Sequence, residues 1–87
     1  MFSILLSRNA DKEFRSLEEK YRKRVENILK VLFIDPVPIR LCDVRKLKNL
    51  KNTFRIRLGK LRIVYIINWK EKQILIARIS FRKVAYD

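Results

Sequence analysis

Eighty-seven residues with 48% hydrophobic content supply one modest core, so a single domain is expected over residues 1–87. With 22 Lys and Arg against 9 Asp and Glu the formal charge is +13, and self-repulsion of that size argues for a polyanionic or acidic partner. The single cysteine, Cys42, excludes an intramolecular disulfide; the longest apolar run, Ile63 to Ile67, is too short to cross a bilayer, and the N-terminus carries no export signal, so a cytoplasmic protein with no membrane role is expected.

Phe2 to Ser7 is short and apolar and ends on residues that start helices, which predicts a strand feeding a helix capped by Ser7 or Asn9. From there Ala10, Phe14, Leu17, Tyr21, Val25, Ile28, Leu29, Leu32 and Phe33 recur at threes and fours, as a buried helical stripe requires. Nothing between Ala10 and Phe33 is a strong breaker, so one long helix and a helical hairpin both fit, the hairpin being the more compact. Asp35-Pro36-Val37-Pro38 ends the helical region, because each proline lacks an amide hydrogen and disfavours helix at the residue before it. Arg40 to Asn52 reads as a basic connector with a short extended piece, whose Arg45, Lys46, Lys48 and Lys51 are candidates for contacts with nucleic-acid phosphates.

Thr53 to Trp69 then reads as a hairpin turned by Gly59-Lys60, and Gln73 to Phe81 as a third strand before the tail Arg82 to Asp87. This order predicts an α+β fold: an N-terminal strand, two helices, then an antiparallel meander, with the helices on one face of a single sheet and the other face open. Trp69, at a strand end, reads as an edge anchor and Cys42 as inert. The charge is uneven: residues 1–39 carry 8 basic and 6 acidic side chains, whereas residues 40–87 carry 14 and 3. A type II′ turn at Gly59 pairs Leu58 with Leu61, Arg57 with Arg62 and Arg55 with Val64. The period of 2 then puts Phe54, Ile56 and Leu58 on a core face and gathers Arg55, Arg57 and Arg62 on the other. Like charges directly opposite are destabilising, so the arrangement suits a bridging anion, such as a nucleic-acid backbone.

The opening Ser7 to Phe14, then Arg45-Lys46-Leu47, the run Phe54 to Tyr65 and the ending Arg78 to Tyr86 resemble the RelE/ParE superfamily of toxins from toxin–antitoxin pairs, in particular its archaeal RelE-like branch. The resemblance covers nearly the whole chain. It implies a RelE-like fold and a toxin that enters the ribosomal A site and cuts messenger RNA, with the 2′-hydroxyl as nucleophile and no metal or other cofactor. It also implies neutralisation by a small acidic RelB-like antitoxin in an oligomeric complex. Position by position, it carries catalytic roles to Arg55, Arg57, Arg62, Arg82 and Tyr86, with Lys83 among the RNA and ribosome contacts. The chain departs from the family in two places. The best-studied bacterial members have lysine where Arg55 stands, and many relatives have histidine where Phe81 stands, while this chain has no histidine at all. Arginine holds its proton too tightly to serve as a base, so the general base stays unassigned. ParE relatives that inhibit DNA gyrase share the fold, so a gyrase inhibitor, or an inactive ribosome- or RNA-binding module, is the alternative.

Overall fold

The computed structural model describes residues 1–81. Its elements run β1 (Ser3–Leu6), α1 (Arg8–Ser16), α2 (Glu19–Ile34), β2 (Asp43–Lys46), β3 (Thr53–Leu58), β4 (Leu61–Asn68) and β5 (Gln73–Ser80). They build one five-stranded sheet in the order β1-β5-β4-β3-β2, so the last two strands of the chain lie at or beside its centre. Strands β2 to β5 are a consecutive antiparallel meander, and β1 adds to its edge parallel to β5. The short extended piece expected in the basic connector is therefore a full sheet member, β2.

The central register follows from one turn. Gly59 adopts φ 58°, a left-handed conformation that costs glycine nothing and permits a two-residue reversal between β3 and β4. The pairs Leu58↔Leu61, Arg57↔Arg62 and Arg55↔Val64 follow, as the alternation predicts. The opposite turn, between β2 and β3, uses Asn49 and Asn52 at positive φ, the non-glycine residue type that best tolerates it.

The core lies between the inner sheet face and the helices. Ile56 of β3, Leu61, Ile63, Tyr65 and Ile67 of β4, and Ile74, Ile76 and Ile79 of β5 pack with Ala10, Leu17, Val25, Ile28 and Leu32. Strand β5 keeps this inward phase through an irregularity. Val64 pairs with Arg78 but Tyr65 pairs with Ile76, so Ala77 is an extra residue that resets the alternation and lets Ile74, Ile76 and Ile79 all face the helices. Tyr65 reaches through the core to donate a 2.7 Å hydrogen bond to the Pro36 carbonyl, which ties the loop after α2 to the sheet.

Two helices form rather than one. Leu17 and Glu18 are extended (ψ 147° and 154°), and the Arg22 guanidinium donates to the Leu17 carbonyl. No glycine or proline forces this break; buried Leu17 occupies the corner and packs in the core. Of the two expected caps, Ser7 is the one used, its Oγ accepting from the Ala10 amide at 3.0 Å. Phe33, assigned to the helical stripe from its spacing, is exposed in the last turn of α2. Trp69 stands at the end of β4 and meets the edge of the Phe2 ring, as an edge anchor does. Among the described residues no helix is long and apolar enough to cross a membrane.

Burial, followed by the proximity of Cys42 and Asp35, pushes the Tyr65 phenol above its ordinary value. The folded chain thus retains this proton where the unfolded chain loses it, so the contribution is complete below about pH 10 and declines as pH rises beyond it. Tyr65→Phe is expected to cost roughly 1–2 kcal/mol at neutral pH, because the Pro36 carbonyl loses its donor, and to flatten the alkaline decline. Urea unfolding of both proteins at neutral and alkaline pH measures the two effects.

Candidate nucleic-acid interface

Strand register converts the outer sheet face into rows. One row reads Asp43, Arg57, Arg62 and Ser80 across β2, β3, β4 and β5. The next reads Arg45, Arg55, Val64 and Arg78. Thr53, Ile66, Leu75 and Leu5 follow, so the face is cationic toward the Gly59 turn and apolar toward the other end. The predicted trio of Arg55, Arg57 and Arg62 is brought together, with Arg45 beside it.

These arginines are not equally presented. Arg57 is exposed, but Arg55 and Arg62 are only 4% and 9% exposed, so the expectation of an open outer face does not hold at its cationic centre. Removing guanidinium groups from water disfavours their charge. The Arg62 pKa is accordingly lowered, first by desolvation and then by the positive charges of Arg57 and Arg55, with Asp43 opposing. Guanidinium groups are suited to phosphate oxygens through charge-assisted and bidentate hydrogen bonds.

Two acids hold the cluster, and neither was singled out by reading the sequence. Asp43 stands directly across from Arg57, with its carboxylate 3.5 Å from Arg55 Nη1, while its backbone carbonyl accepts from the same nitrogen at 3.4 Å. Glu13 reaches from α1 to the end of β5. Its Oε2 accepts from Arg78 Nε at 3.0 Å and stands 2.9 Å from Nη2, and its Oε1 accepts from the Ile79 amide at 2.8 Å. The carboxylate thereby stands in for a neighbouring strand. Strand β1 pairs only as far as Ile76, beyond which Ser7 Oγ donates to the Ala77 carbonyl and Glu13 takes the next amide. Arg78 is a site neighbour that the spacing alone did not isolate; the extra residue at Ala77 puts it in phase with Val64 and Arg55.

The remaining predicted contacts scatter. Lys46 alternates with Arg45 and shares the opposite side of β2 with Val44. Lys48 and Lys51 line a shallow hollow with Leu47, Asn49 and Leu50 in the β2–β3 turn, at the far end of the sheet. Thr53 and Arg57 are four residues apart on β3, so that end lies about 13 Å from the Arg57 row. Arg82, Lys83 and Tyr86 lie outside the described residues. Cys42 is half-buried, and burial followed by Asp35 raises its pKa, which suits an inert thiol.

Known proteins bear on this arrangement. The sequence pattern of the family described as ParE toxin of type II toxin–antitoxin system, parDE, matches residues 4–86. The chain is 28% identical to RelE1 of Methanocaldococcus jannaschii over 85 residues, covering 98% of this chain and 94% of that one. The toxin fold of the archaeal RelE–RelB complex from Pyrococcus horikoshii OT3 superposes with a TM-score of 0.84 at 30% identity, over 97% of this chain and 98% of that one. The intact E. coli RelBE toxin–antitoxin complex contains a chain matched at TM-score 0.82 and 17% identity, over 97% of this chain and 100% of that one.

Asp43→Asn removes the negative charge facing Arg55 and Arg57. It is expected to cost about 1 kcal/mol of stability, as a half-exposed pair does, and to tighten binding to a polyanion. A lower thermal midpoint together with later salt elution from immobilised heparin is the expected pair of readings.

Proposed function

Since the chain belongs to the ParE toxin family of type II toxin–antitoxin systems and is a toxin of the RelBE type, we propose that it is a ribosome-dependent endoribonuclease that cleaves messenger RNA in the A site. The observation that carries this reading is the row in which Arg57 opposes Arg62, with Arg55 directly behind, two of the three withdrawn from solvent. Such donors, already dehydrated and held by the sheet, suit an anion whose charge grows during reaction.

In the proposed reaction the 2′-oxygen attacks the adjacent phosphorus and the 5′-oxygen leaves. The products are a 2′,3′-cyclic phosphate and a 5′-hydroxyl end, and the proton from the 2′-hydroxyl balances the one gained by the leaving oxygen. Arg57 is exposed and so meets the phosphate as it arrives, while Arg62 and Arg55 stabilise the charge that accumulates on its equatorial oxygens. Alignment of nucleophile and phosphorus by the ribosome supplies a large share of the acceleration, since positioning alone is worth roughly 7–11 kcal/mol. The chemistry asks for no metal ion, and Arg82 and Tyr86 complete the proposed site on the strength of the family resemblance.

The proposed partner is a RelB-like antitoxin, the class of protein seen with RelE in the P. horikoshii complex. Acidic residues on it would face the outer arginines, and apolar ones the ladder of Leu5, Leu75 and Ile66, which lies exposed next to them.

Cleavage on ribosomes that hold a defined messenger with an empty A site, mapped by primer extension beside the same RNA without ribosomes, tests the proposal. Cuts confined to the A-site codon in the ribosomal lane are expected. Absence of cuts from folded protein would favour a gyrase inhibitor or an inactive ribosome- or RNA-binding module. Arg62→Ala is expected to lower the cleavage rate by about 10²–10³-fold, the usual cost of removing a donor to developing negative charge. Arg82→Ala is expected to lose activity comparably.

A further inference from the structure

The cationic end of the sheet does not stop at the arginine rows. Beyond Ser80, which pairs with Arg62, the next residue is Phe81, which is 44% exposed. It is not a loose side chain. Tyr21 of α2 meets it edge to face, with ring centroids 5.0 Å apart and planes at 85°. Tyr21 is in turn flanked by two cations, Lys20 Nζ at 5.0 Å and the Arg24 guanidinium carbon at 5.7 Å from its ring centre. Arg24 closes the circuit: a β-carbon built on Gly59 would fall 3.7 Å from its Nη1, so this guanidinium lies against the turn that carries exposed Lys60. A continuous path therefore leads from Arg57 and Arg62 around the end of the sheet to Arg24, Lys20 and the held phenyl ring.

An exposed aromatic ring fixed by a second ring and bordered by cations has the make-up of a platform for single-stranded nucleic acid. The ring offers a π-face to any base, and the cations follow the backbone on either side. An acidic peptide would satisfy the cations alone, whereas a base-bearing polyanion also uses the exposed ring face. We propose that Phe81, buttressed by Tyr21 and bordered by Lys20, Arg24 and Lys60, is a base-stacking subsite for single-stranded RNA that extends the arginine face around the end of the sheet. This rests on the reading above only in taking the ligand to be RNA. Phe81 binds through its ring face, Tyr21 acts through Phe81 as a positioning residue, and Arg24 contributes a phosphate contact.

Stacking and phosphate binding separate by experiment. The probes are a fluorescently labelled adenine hexaribonucleotide and a hexamer of the same backbone with abasic riboses, titrated by anisotropy over a range of salt concentrations. Wild type is expected to bind the adenine probe more tightly than the abasic one. Phe81→Ala is expected to weaken adenine binding by about five- to a hundredfold, leave abasic binding unchanged and keep the salt slope. Phe81→Trp retains the affinity, whereas Arg24→Ala weakens both probes alike and lowers the salt slope by about one. Thermal midpoints of the variants verify that each is folded; Phe81, being exposed, tolerates truncation. The proposal is overturned if wild type shows no preference for the base-bearing probe, binds neither probe, or if Phe81→Ala weakens both equally. Ribosomal cleavage without base preference would sink this subsite and leave the nuclease standing, while base preference without cleavage would do the reverse.

Discussion

A slip of one residue between β3 and β4 would turn Arg62 into the helical core and push Ile63 out to solvent, so core and candidate site depend on the same register. That register is set at one point, the left-handed Gly59 that allows two residues to reverse the chain. β4 is the strand with most to lose. It lies between β3 and β5, and every residue from Leu61 to Tyr65 is buried, which leaves little tolerance for an alternative pairing. The hydrophobic energy of Ile63, Tyr65 and Ile67 on one face thereby holds Arg62 in place on the other. An arrangement that repels itself is imposed by an apolar force that does not act on charge.

The outer face shows how such a charge is carried. Cross-strand arginines at Arg57 and Arg62, with Arg55 behind, are balanced in part by Asp43 on the neighbouring strand, and Arg78 is held by Glu13 from α1. Asp43 is half-exposed and 3.5 Å from its partner, so its attraction is softened by water, while Arg57 and Arg55 add to the desolvation that lowers the Arg62 pKa.

The use of arginine at position 55 also has a structural reason. The group is almost wholly buried beside Asp43. A lysine there would tend to release its proton under desolvation and the nearby positive charges, whereas a guanidinium keeps its charge and offers several donors in a plane. Position 55 thus carries a permanent cation. At the end of β5 an aromatic ring, Phe81, is braced edge to face by Tyr21.

Alternation along residues 53–67, the glycine turn and the concentration of positive charge in the second half are local properties, and from them the sequence by itself determined the hairpin, its register and the meeting of three arginines. These follow from the period of a strand and the backbone freedom of one glycine, which no distant contact needs to supply. The helix break at Leu17, the extra residue at Ala77 and the parallel docking of β1 on β5 were decided only in three dimensions. Each leaves no compositional mark, because each arises from the fit of one element against another far along the chain. The same holds for the parts of the site that reading missed. Asp43 meets Arg55 across 12 residues, and Glu13 meets Arg78 across 65. Burial of Arg55 and Arg62 is likewise a property of packing: sequence spacing tells which face a side chain takes, and only the assembled structure decides how much water remains there.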